Sequence, residues 1–293
     1  MKVGVHLPQW GDHAGRAGVM ASAIAAEESG FDSVWVADHI VFPGESKSVY
    51  PYRTKGVPFS PDDGFLEATT VLAVIAGCTS RIGLGTSVLV LPMREPLLTA
   101  KAFATLDVLS EGRVILAVGA GWWAEEFEAL GQRYDSRGQR MEEQIAILKH
   151  AWTDGTFSFD GDFYQVKKLT CRPLPVRSGG PPVLVGGMGP AAIRRAATIG
   201  DGWHAVGSDL EALEKGKTKL EETAERIGRD PASITTSVSL GAGRSREESR
   251  GRLRALAELG VDQVVLNLRA EPTLADEIRA FAAEVLTDLD LSS

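Results

Sequence analysis

A regular alternation of strands and helices is the feature that most constrains the fold of this chain. Eight short apolar runs, typical of buried strands, are each followed by a longer segment with helical periodicity or a helix-capping signal. Because parallel strands joined by helices cross over right-handed, eight such units predict an α/β fold of the TIM (β/α)8 barrel type. The predicted strands span residues 2–7, 33–37, 81–91, 113–118, 183–185, 202–206, 234–240 and 262–268.

Two insertions interrupt the repeat. The first follows strand two, where residues 43–63 have no period and carry the aromatics Tyr50, Tyr52 and Phe59. A loop of this length inside a compact domain is usually functional. The second follows the helix of unit four, where residues 156–166 resemble a hairpin. No composition break divides the chain, so we expect one domain over residues 1–293.

Capping signals locate several helix starts. Ser136-Arg137-Gly138-Gln139 matches a capping box, and Ser208 and Ser245 each precede a glutamate by three positions. The predicted helices span residues 14–29, 65–79, 95–109, 136–152, 191–199, 208 onward, 245–259 and 274–286.

Composition argues against several classes of partner. The net charge of −8 disfavours general binding to nucleic acid or to anionic membranes. No apolar run approaches the ~18 residues that a membrane-spanning helix needs. Cys78 and Cys171 have no pairing motif, which suits a reducing compartment. With no visible secretion signal, we expect a cytoplasmic protein that acts on a small molecule.

An acid and an imidazole, Asp38 and His39, stand where strand two ends. The carboxyl ends of all barrel strands share one rim, so residues scattered in sequence are expected to converge there. Imidazole ordinarily titrates near pH 6.5, which makes His39 a candidate proton donor or acceptor. No second histidine lies four residues away, so we expect no metal. The other expected rim residues are Trp10, Ser87, residues 119–122, Gly187, Gly189 and His204.

The turn Gly187-Met188-Gly189-Pro190 lies between a strand and a helix. Backbone amides at a helix start bind phosphate, although a plain tight turn has the same sequence. The spacing from Gly189 to Asp209 imitates a dinucleotide-binding motif. We discount that motif because four strand–helix units precede it.

Four residues expected near the rim need a closer interpretation. Glu125 and Glu126 follow strand four and act either as acid/base groups or as complements of a helix dipole. Trp122 can stack on a planar ligand. His204 faces the site or packs in the core beside Trp203.

Several motifs together resemble the bacterial luciferase-like superfamily, and most closely its deazaflavin-dependent oxidoreductase branch. The resemblance covers about residues 3–203 and is specific in order and spacing. The motifs are Val34-Trp35-Val36-Ala37-Asp38-His39, Leu84-Gly85-Thr86-Ser87-Val88-Leu89, residues 113–127, Trp152 with the following hairpin, Val185-Gly186-Gly187 and Asp201-Gly202-Trp203.

This resemblance implies a barrel that holds a flavin or deazaflavin over its carboxyl-terminal rim and commonly forms a homodimer. It implies that Asp38 and His39 lie near the ring, with His39 as the acid/base or ring-polarising group. It also implies that a non-prolyl cis peptide joins Ser87 to Val88 in a bulge of strand three. Trp10, Trp122 and His204 are then assigned to the substrate pocket. The further cofactor-binding residues are Thr86, Ser87, Val88, Gly119, Gly121, Glu126, Arg140, Gly187, Met188 and Gly189.

The resemblance favours hydride transfer with coenzyme F420 to or from a small organic substrate. Trp122 stands where sugar-phosphate dehydrogenases of this branch have a catalytic glutamate, so an apolar or aromatic substrate is expected. The alternatives are an FMNH2-dependent monooxygenase using oxygen and a non-catalytic flavin-binding barrel. The acidic tail of the deazaflavin has four candidate partners: Arg172, Arg177, Arg194 and Arg195.

Overall fold

The eight predicted strands close into a parallel barrel in the computed structural model, which describes residues 1–51, 60, 62–207, 209–269, 273–287 and 289. The barrel strands are β1 (Lys2–His6), β2 (Ser33–Val36), β3 (Gly83–Val90), β4 (Val114–Gly119), β7 (Val183–Gly186), β8 (Gly202–Val206), β9 (Thr235–Gly241) and β10 (Gln263–Asn267). They pair in the order β1-β10-β9-β8-β7-β4-β3-β2. The strands β5 (Thr156–Asp160) and β6 (Gln165–Thr170) form the predicted hairpin outside the barrel.

Helices surround the barrel. The described residues of the first insertion follow β2, and the hairpin of the second follows the helix of unit four. The TIM-barrel prediction is therefore confirmed. None of the described helices is long and apolar enough to cross a membrane. The helices are α1 (Arg16–Glu28), α2 (Ala68–Ala76), α3 (Pro96–Leu109), α4 (Ala124–Ala129), α5 (Arg137–Thr153), α6 (Pro190–Thr198), α7 (Leu210–Arg226), α8 (Arg246–Glu258) and α9 (Leu274–Phe281).

The predicted helix caps have different outcomes. Ser245 accepts a hydrogen bond from the Glu248 amide over 3.1 Å, as predicted. The capping box at Ser136 is wrong, because this side chain makes no cap hydrogen bond and its buried hydroxyl has no partner among the described residues. Ser208 lies outside the described residues, and the Asp209 carboxylate caps α7 instead.

Trp35 fills the interior of the barrel. It is fully buried, and its indole donates to Ser33 Oγ over 2.8 Å. A Cβ atom at Gly4 or Gly85 would lie within 2.6 Å or 2.3 Å of the indole, so these strand positions need glycine to accommodate it. Because side chains occupy the interior, a ligand has to bind at the rim.

Two buried histidines make the stability of the barrel depend on pH. Burial lowers the pKa of His6 to about 4 and that of His204 to about 3. Between those values and about 6.5, the unfolded chain binds protons that the folded chain does not. The free energy of unfolding should therefore fall as pH drops below 6.5, by about 1.4 kcal/mol per pH unit for each such histidine.

Urea titrations from pH 7.5 to pH 4.5 measure this dependence. In the variant His6→Gln, the free energy of unfolding should depend less steeply on pH, because unfolding takes up about one proton fewer. The exposed His13 provides the control, because His13→Gln should retain the wild-type slope. If the free energy of unfolding of His6→Gln depended on pH as in the wild type, buried His6 would not be a source of this pH dependence.

Candidate active site

The carboxyl ends of β2 and β4 bring His39 against Glu126, although the two residues are 87 positions apart. His39 Nδ1 lies 2.8 Å from Glu126 Oε2. The other carboxylate oxygen accepts from the amides of Ile40 and Val41 over 2.7 and 3.3 Å. Glu126 lies in the first turn of α4, as the helix-dipole interpretation requires, but its buried carboxylate is also directed at the chain that follows β2.

This pairing determines which nitrogen of His39 carries a proton. A carboxylate only accepts hydrogen bonds, so Nδ1 must be the donor. The neutral ring then has its lone pair on Nε2. The imidazole side chain is 10% exposed, which leaves part of it at the rim. His39 is thus held in one orientation and one tautomer.

Asp38 lies beneath the rim, and its side chain is fully enclosed. Its carboxylate accepts from the Val90 amide over 2.9 Å and from Arg94 Nη2 over 2.6 Å. Burial raises the pKa of Asp38, while the guanidinium of Arg94 acts in the opposite direction. Asp38 therefore ties the end of β2 to the end of β3 and to Arg94, which follows it. Arg94 was not anticipated from the sequence.

The bulge of β3 has the cis peptide between Ser87 and Val88 that the resemblance implies. Both residues are half-buried at the rim, whereas Thr86 is fully buried and bonds to a carbonyl of β4 over 2.7 Å. A Cβ atom at Gly119 or Gly186 would lie 2.6 Å from the Val88 side chain. These glycines therefore make room for Val88, which forms part of the rim surface.

Aromatic side chains surround His39. The imidazole centroid lies 5.5 Å from that of Trp123, 5.7 Å from Phe65 and 6.2 Å from Trp122. Trp10 stacks on Phe65 at 5.5 Å, so two predicted pocket residues, Trp10 and Trp122, belong to this group. We call the group the aromatic wall; it comprises Trp10, Phe42, Tyr50, Phe65, Trp122 and Trp123.

The segment after β2 is fastened to the start of α4. We call residues 40–51 the β2 loop. Glu125 accepts from the amides of Lys47 and Ser48 over 2.6 and 3.2 Å, and Trp123 Nε1 donates to Ser46 Oγ over 2.8 Å. Hydrogen bonds from Ser48 and Lys47 lower the pKa of Glu125 to about 2. Residues 52–59, with Tyr52 and Phe59, lie outside the described residues.

The candidate phosphate turn precedes α6. Gly187 has a φ of 123°, and its amide donates to the His204 carbonyl over 3.1 Å. Met188 is half-buried, and Gly189 is exposed with open space where a side chain would lie. Gly121, at the end of β4, also has a positive φ, 84°, and packs closely against Phe127. The exposed helix start at Gly189 is thus a candidate phosphate site, whereas the buried Gly187 has its amide bonded to His204.

Three of the four arginines considered for an acidic tail have other partners. Arg194 and Arg195 both donate to Glu142 over 2.7 Å. Arg177 donates to the carbonyls of Gly112 and Val114, at the opposite end of the barrel from the rim. These contacts weaken the charge argument that favoured a deazaflavin over a flavin, which now depends on the exposed Arg172.

Arg140 is buried on α5. It donates to the carbonyl of Pro92 over 2.8 Å and to the hydroxyl of Tyr164 over 3.2 Å. These bonds brace α5 against the hairpin and the segment after β3. Arg140 therefore holds together the elements next to the rim, and its own side chain is buried.

His204 lies inside the barrel instead of in the substrate pocket. It is fully buried, with Ser87 Oγ 2.8 Å from Nε2 and Ser237 Oγ 2.9 Å from Nδ1. Trp203, its neighbour, donates from its indole to the Gly187 carbonyl over 2.7 Å. The pocket assignment for His204 is corrected, since no ligand at the rim can touch a side chain enclosed in this way.

The sequence and fold of this chain are similar to those of known enzymes. The chain matches the family model for luciferase-like monooxygenases over residues 1–284. It is 31% identical over 278 residues to a protein of Amycolatopsis mediterranei named F420-dependent glucose-6-phosphate dehydrogenase, covering 87% of this chain and 75% of the relative.

Two solved structures show the same fold. An F420-dependent secondary alcohol dehydrogenase, in complex with an F420-acetone adduct, has a TM-score of 0.80 at 20% identity, with 99% of both chains covered. A monooxygenase from Streptomyces bottropensis has a TM-score of 0.76 at 21% identity, covering 98% of this chain and 99% of the other.

Proposed function

Because the chain belongs to the luciferase-like monooxygenase family, we propose that it is an oxidoreductase that uses coenzyme F420 to transfer hydride to or from a small organic substrate. The His39–Glu126 pair is the observation that carries the proposal. Reduction of a carbonyl by hydride needs a proton at oxygen, and oxidation of an alcohol needs its removal. His39 is fixed by Glu126 at the rim and serves as that proton donor or acceptor.

The rim residues fit a flavin-type ring. A flat, largely apolar ring needs a flat apolar surface with a few polar groups, and the half-buried Ser87 and Val88 supply both. Amides of this turn at Met188 and Gly189 would hold the coenzyme phosphate, since that of Gly187 already donates to the His204 carbonyl. When bound, the coenzyme supplies the hydride chemistry, while this chain orients the reactants and excludes water.

The aromatic wall favours an apolar or aromatic substrate. A molecule that reaches the His39 ring must lie against Phe65, Trp122 or Trp123, which contact that ring. Stacking and burial stabilise an uncharged planar group there. A phosphate group would instead require a cation beside it, and none of the six wall residues carries a charge.

Titration with coenzyme F420 and with FMN tests the choice of cofactor. We expect F420 to bind at least about tenfold more tightly, with no oxygen consumed by the reduced complex. Tighter binding of FMN together with oxygen uptake would contradict the proposal. That result would establish the second candidate, an FMNH2-dependent monooxygenase; a monooxygenase shares the fold of this chain.

The outer face of α2 and α3 supports assembly as a homodimer. α2 has no charged residue, and the exposed apolar side chains of the pair include Val74, Leu98 and Leu109, the last two 69% and 66% exposed. Apolar surface of this kind is typical of an interface between subunits. In a two-fold dimer each residue contributes twice, so one substitution has a doubled effect.

Leu109→Glu should therefore convert the dimer to a monomer. Introducing two carboxylates into an apolar interface should raise the dissociation constant by about 100-fold or more. Light scattering coupled to size-exclusion chromatography measures the mass. Ile227→Glu is the control, since Ile227 is also exposed, at 52%, but follows α7. A wild-type monomer at micromolar concentration would rule out the dimer.

A further inference from the structure

A hydrogen-bonded chain of side chains runs from the barrel interior to the rim. Ser237 Oγ lies 2.9 Å from His204 Nδ1, and His204 Nε2 lies 2.8 Å from Ser87 Oγ. Ser237 and His204 are fully buried at paired positions of β9 and β8, whereas Ser87 is half-buried in the β3 bulge. Ser87 is thus the end of the chain that a ligand at the rim can touch.

His204 transmits one direction of donation along this chain. Burial, reinforced by the nearby His6, lowers its pKa to about 3, so the imidazole is neutral at physiological pH. A neutral imidazole has one N–H group and one lone pair. Its ring stacks on Trp35 with a centroid distance of 5.3 Å and an angle of 10°, which fixes its plane. One serine hydroxyl therefore donates to the lone pair of the imidazole, and the other accepts from its N–H group.

The buried end determines the direction. The hydroxyl proton of Ser237 needs an acceptor because an unsatisfied buried donor is costly. Within the described part of the chain, the acceptor in range of Ser237 Oγ is His204 Nδ1. His204 then carries its proton on Nε2 and donates to Ser87 Oγ. The proton of Ser87 is consequently available to an acceptor at the rim.

We propose that Ser237 and His204 are positioning residues that present the Ser87 hydroxyl as a hydrogen-bond donor to an acceptor atom of a flavin or deazaflavin ring bound at the β3 bulge. The inference rests on the proposed function for the presence of such a ring. Two-electron reduction makes the ring carbonyls and nitrogens richer in electrons, and a donor beside them stabilises that form. The chain of three side chains therefore favours the reduced coenzyme over the oxidised coenzyme.

Affinity for the two redox states of coenzyme F420 tests this role without measuring turnover. Intrinsic tryptophan fluorescence, recorded anaerobically, gives the dissociation constant of each state. Ser87→Ala should lower the ratio of oxidised to reduced dissociation constants about fivefold, the effect of one hydrogen bond. Ser237→Ala should lower it in the same direction, because the imidazole is no longer polarised. Ser237→Thr retains the hydroxyl and should restore the ratio.

Ser239 provides a matched control. It is also buried on β9, two residues from Ser237, but its hydroxyl lies 3.1 Å from His6 Nε2. Ser239→Ala should keep the wild-type ratio. A wild-type ratio in Ser237→Ala, in a protein that melts normally, overturns the inference and leaves the coenzyme site intact.

Two other outcomes are also decisive. If Ser237→Ala does not fold, His204→Asn takes its place and should give the same fall in the ratio; no change overturns the inference. A wild-type protein that binds neither coenzyme F420 nor FMN overturns the proposed function, and this inference with it.

Discussion

Replacement of His39 by alanine is expected to lower turnover by about 10²–10⁴-fold, the usual contribution of a positioned acid or base. Coenzyme affinity should remain within a few-fold of wild type, because the imidazole supplies a proton and not the main binding surface. Single-turnover kinetics measure the rate, and a fluorescence titration measures the affinity. Unchanged turnover would remove His39 from the mechanism. A wild-type protein that binds coenzyme with no turnover on any ketone or alcohol would support the non-catalytic alternative.

Glu126 and Glu125 offer a matched pair for this experiment. Glu126→Gln removes the carboxylate that fixes the tautomer of His39, so turnover should fall about 10-fold or more. Glu125→Gln changes the neighbouring residue, which bonds to the β2 loop and not to His39. It should have a smaller effect on the rate of the chemical step. Equal losses in both variants would show that anchoring of the loop, and not orientation of the imidazole, limits the reaction.

Replacement of Arg94 by alanine is expected to reduce the free energy of unfolding by about 3–5 kcal/mol, the usual cost of leaving a buried charge without its partner. Asp38 is fully enclosed, and Arg94 supplies two of its hydrogen bonds. Urea unfolding measures the loss. Because burial already raises the pKa of Asp38, protonation should relieve part of the loss at low pH, so it should be larger at pH 8 than at pH 5.

An exposed pair serves as the control for this prediction. Lys219 and Glu222 lie 3.0 Å apart on α7 and are both more than half exposed. Lys219→Ala should cost less than about 1 kcal/mol. A loss below 1 kcal/mol in Arg94→Ala would mean that the Asp38 carboxyl is neutral in the folded protein, and that Arg94 contributes little to stability.

Local sequence patterns predict the architecture well and the partners of buried groups poorly. Each barrel strand is a short apolar run, so eight strands and both insertions can be located without knowledge of distant contacts. The bulge at Ser87 and Val88 follows from the resemblance to a family and not from periodicity. Spacing along the chain gives no information on pairs such as His39 and Glu126, which meet only when the barrel closes.

Burial explains the residues whose roles differ from expectation. Asp38 and His204 have the chemistry of ligand-binding groups, yet both side chains are enclosed and satisfied by other residues. Whether a polar side chain at a strand end points to the rim or into the barrel depends on the register of the strand, which composition does not reveal. The same limit applies to Arg177, whose carbonyl partners lie at the far end of β4.

The single carboxylate of Glu126 has a consequence for engineering. It holds the His39 ring with one oxygen and the backbone of the β2 loop with the other. A loop transplanted from a relative to admit a new substrate would also move the group that orients the imidazole. If His39 is the proton donor or acceptor as proposed, we expect variants of the β2 loop selected for a new substrate to need compensating changes near residue 126 to recover their rate.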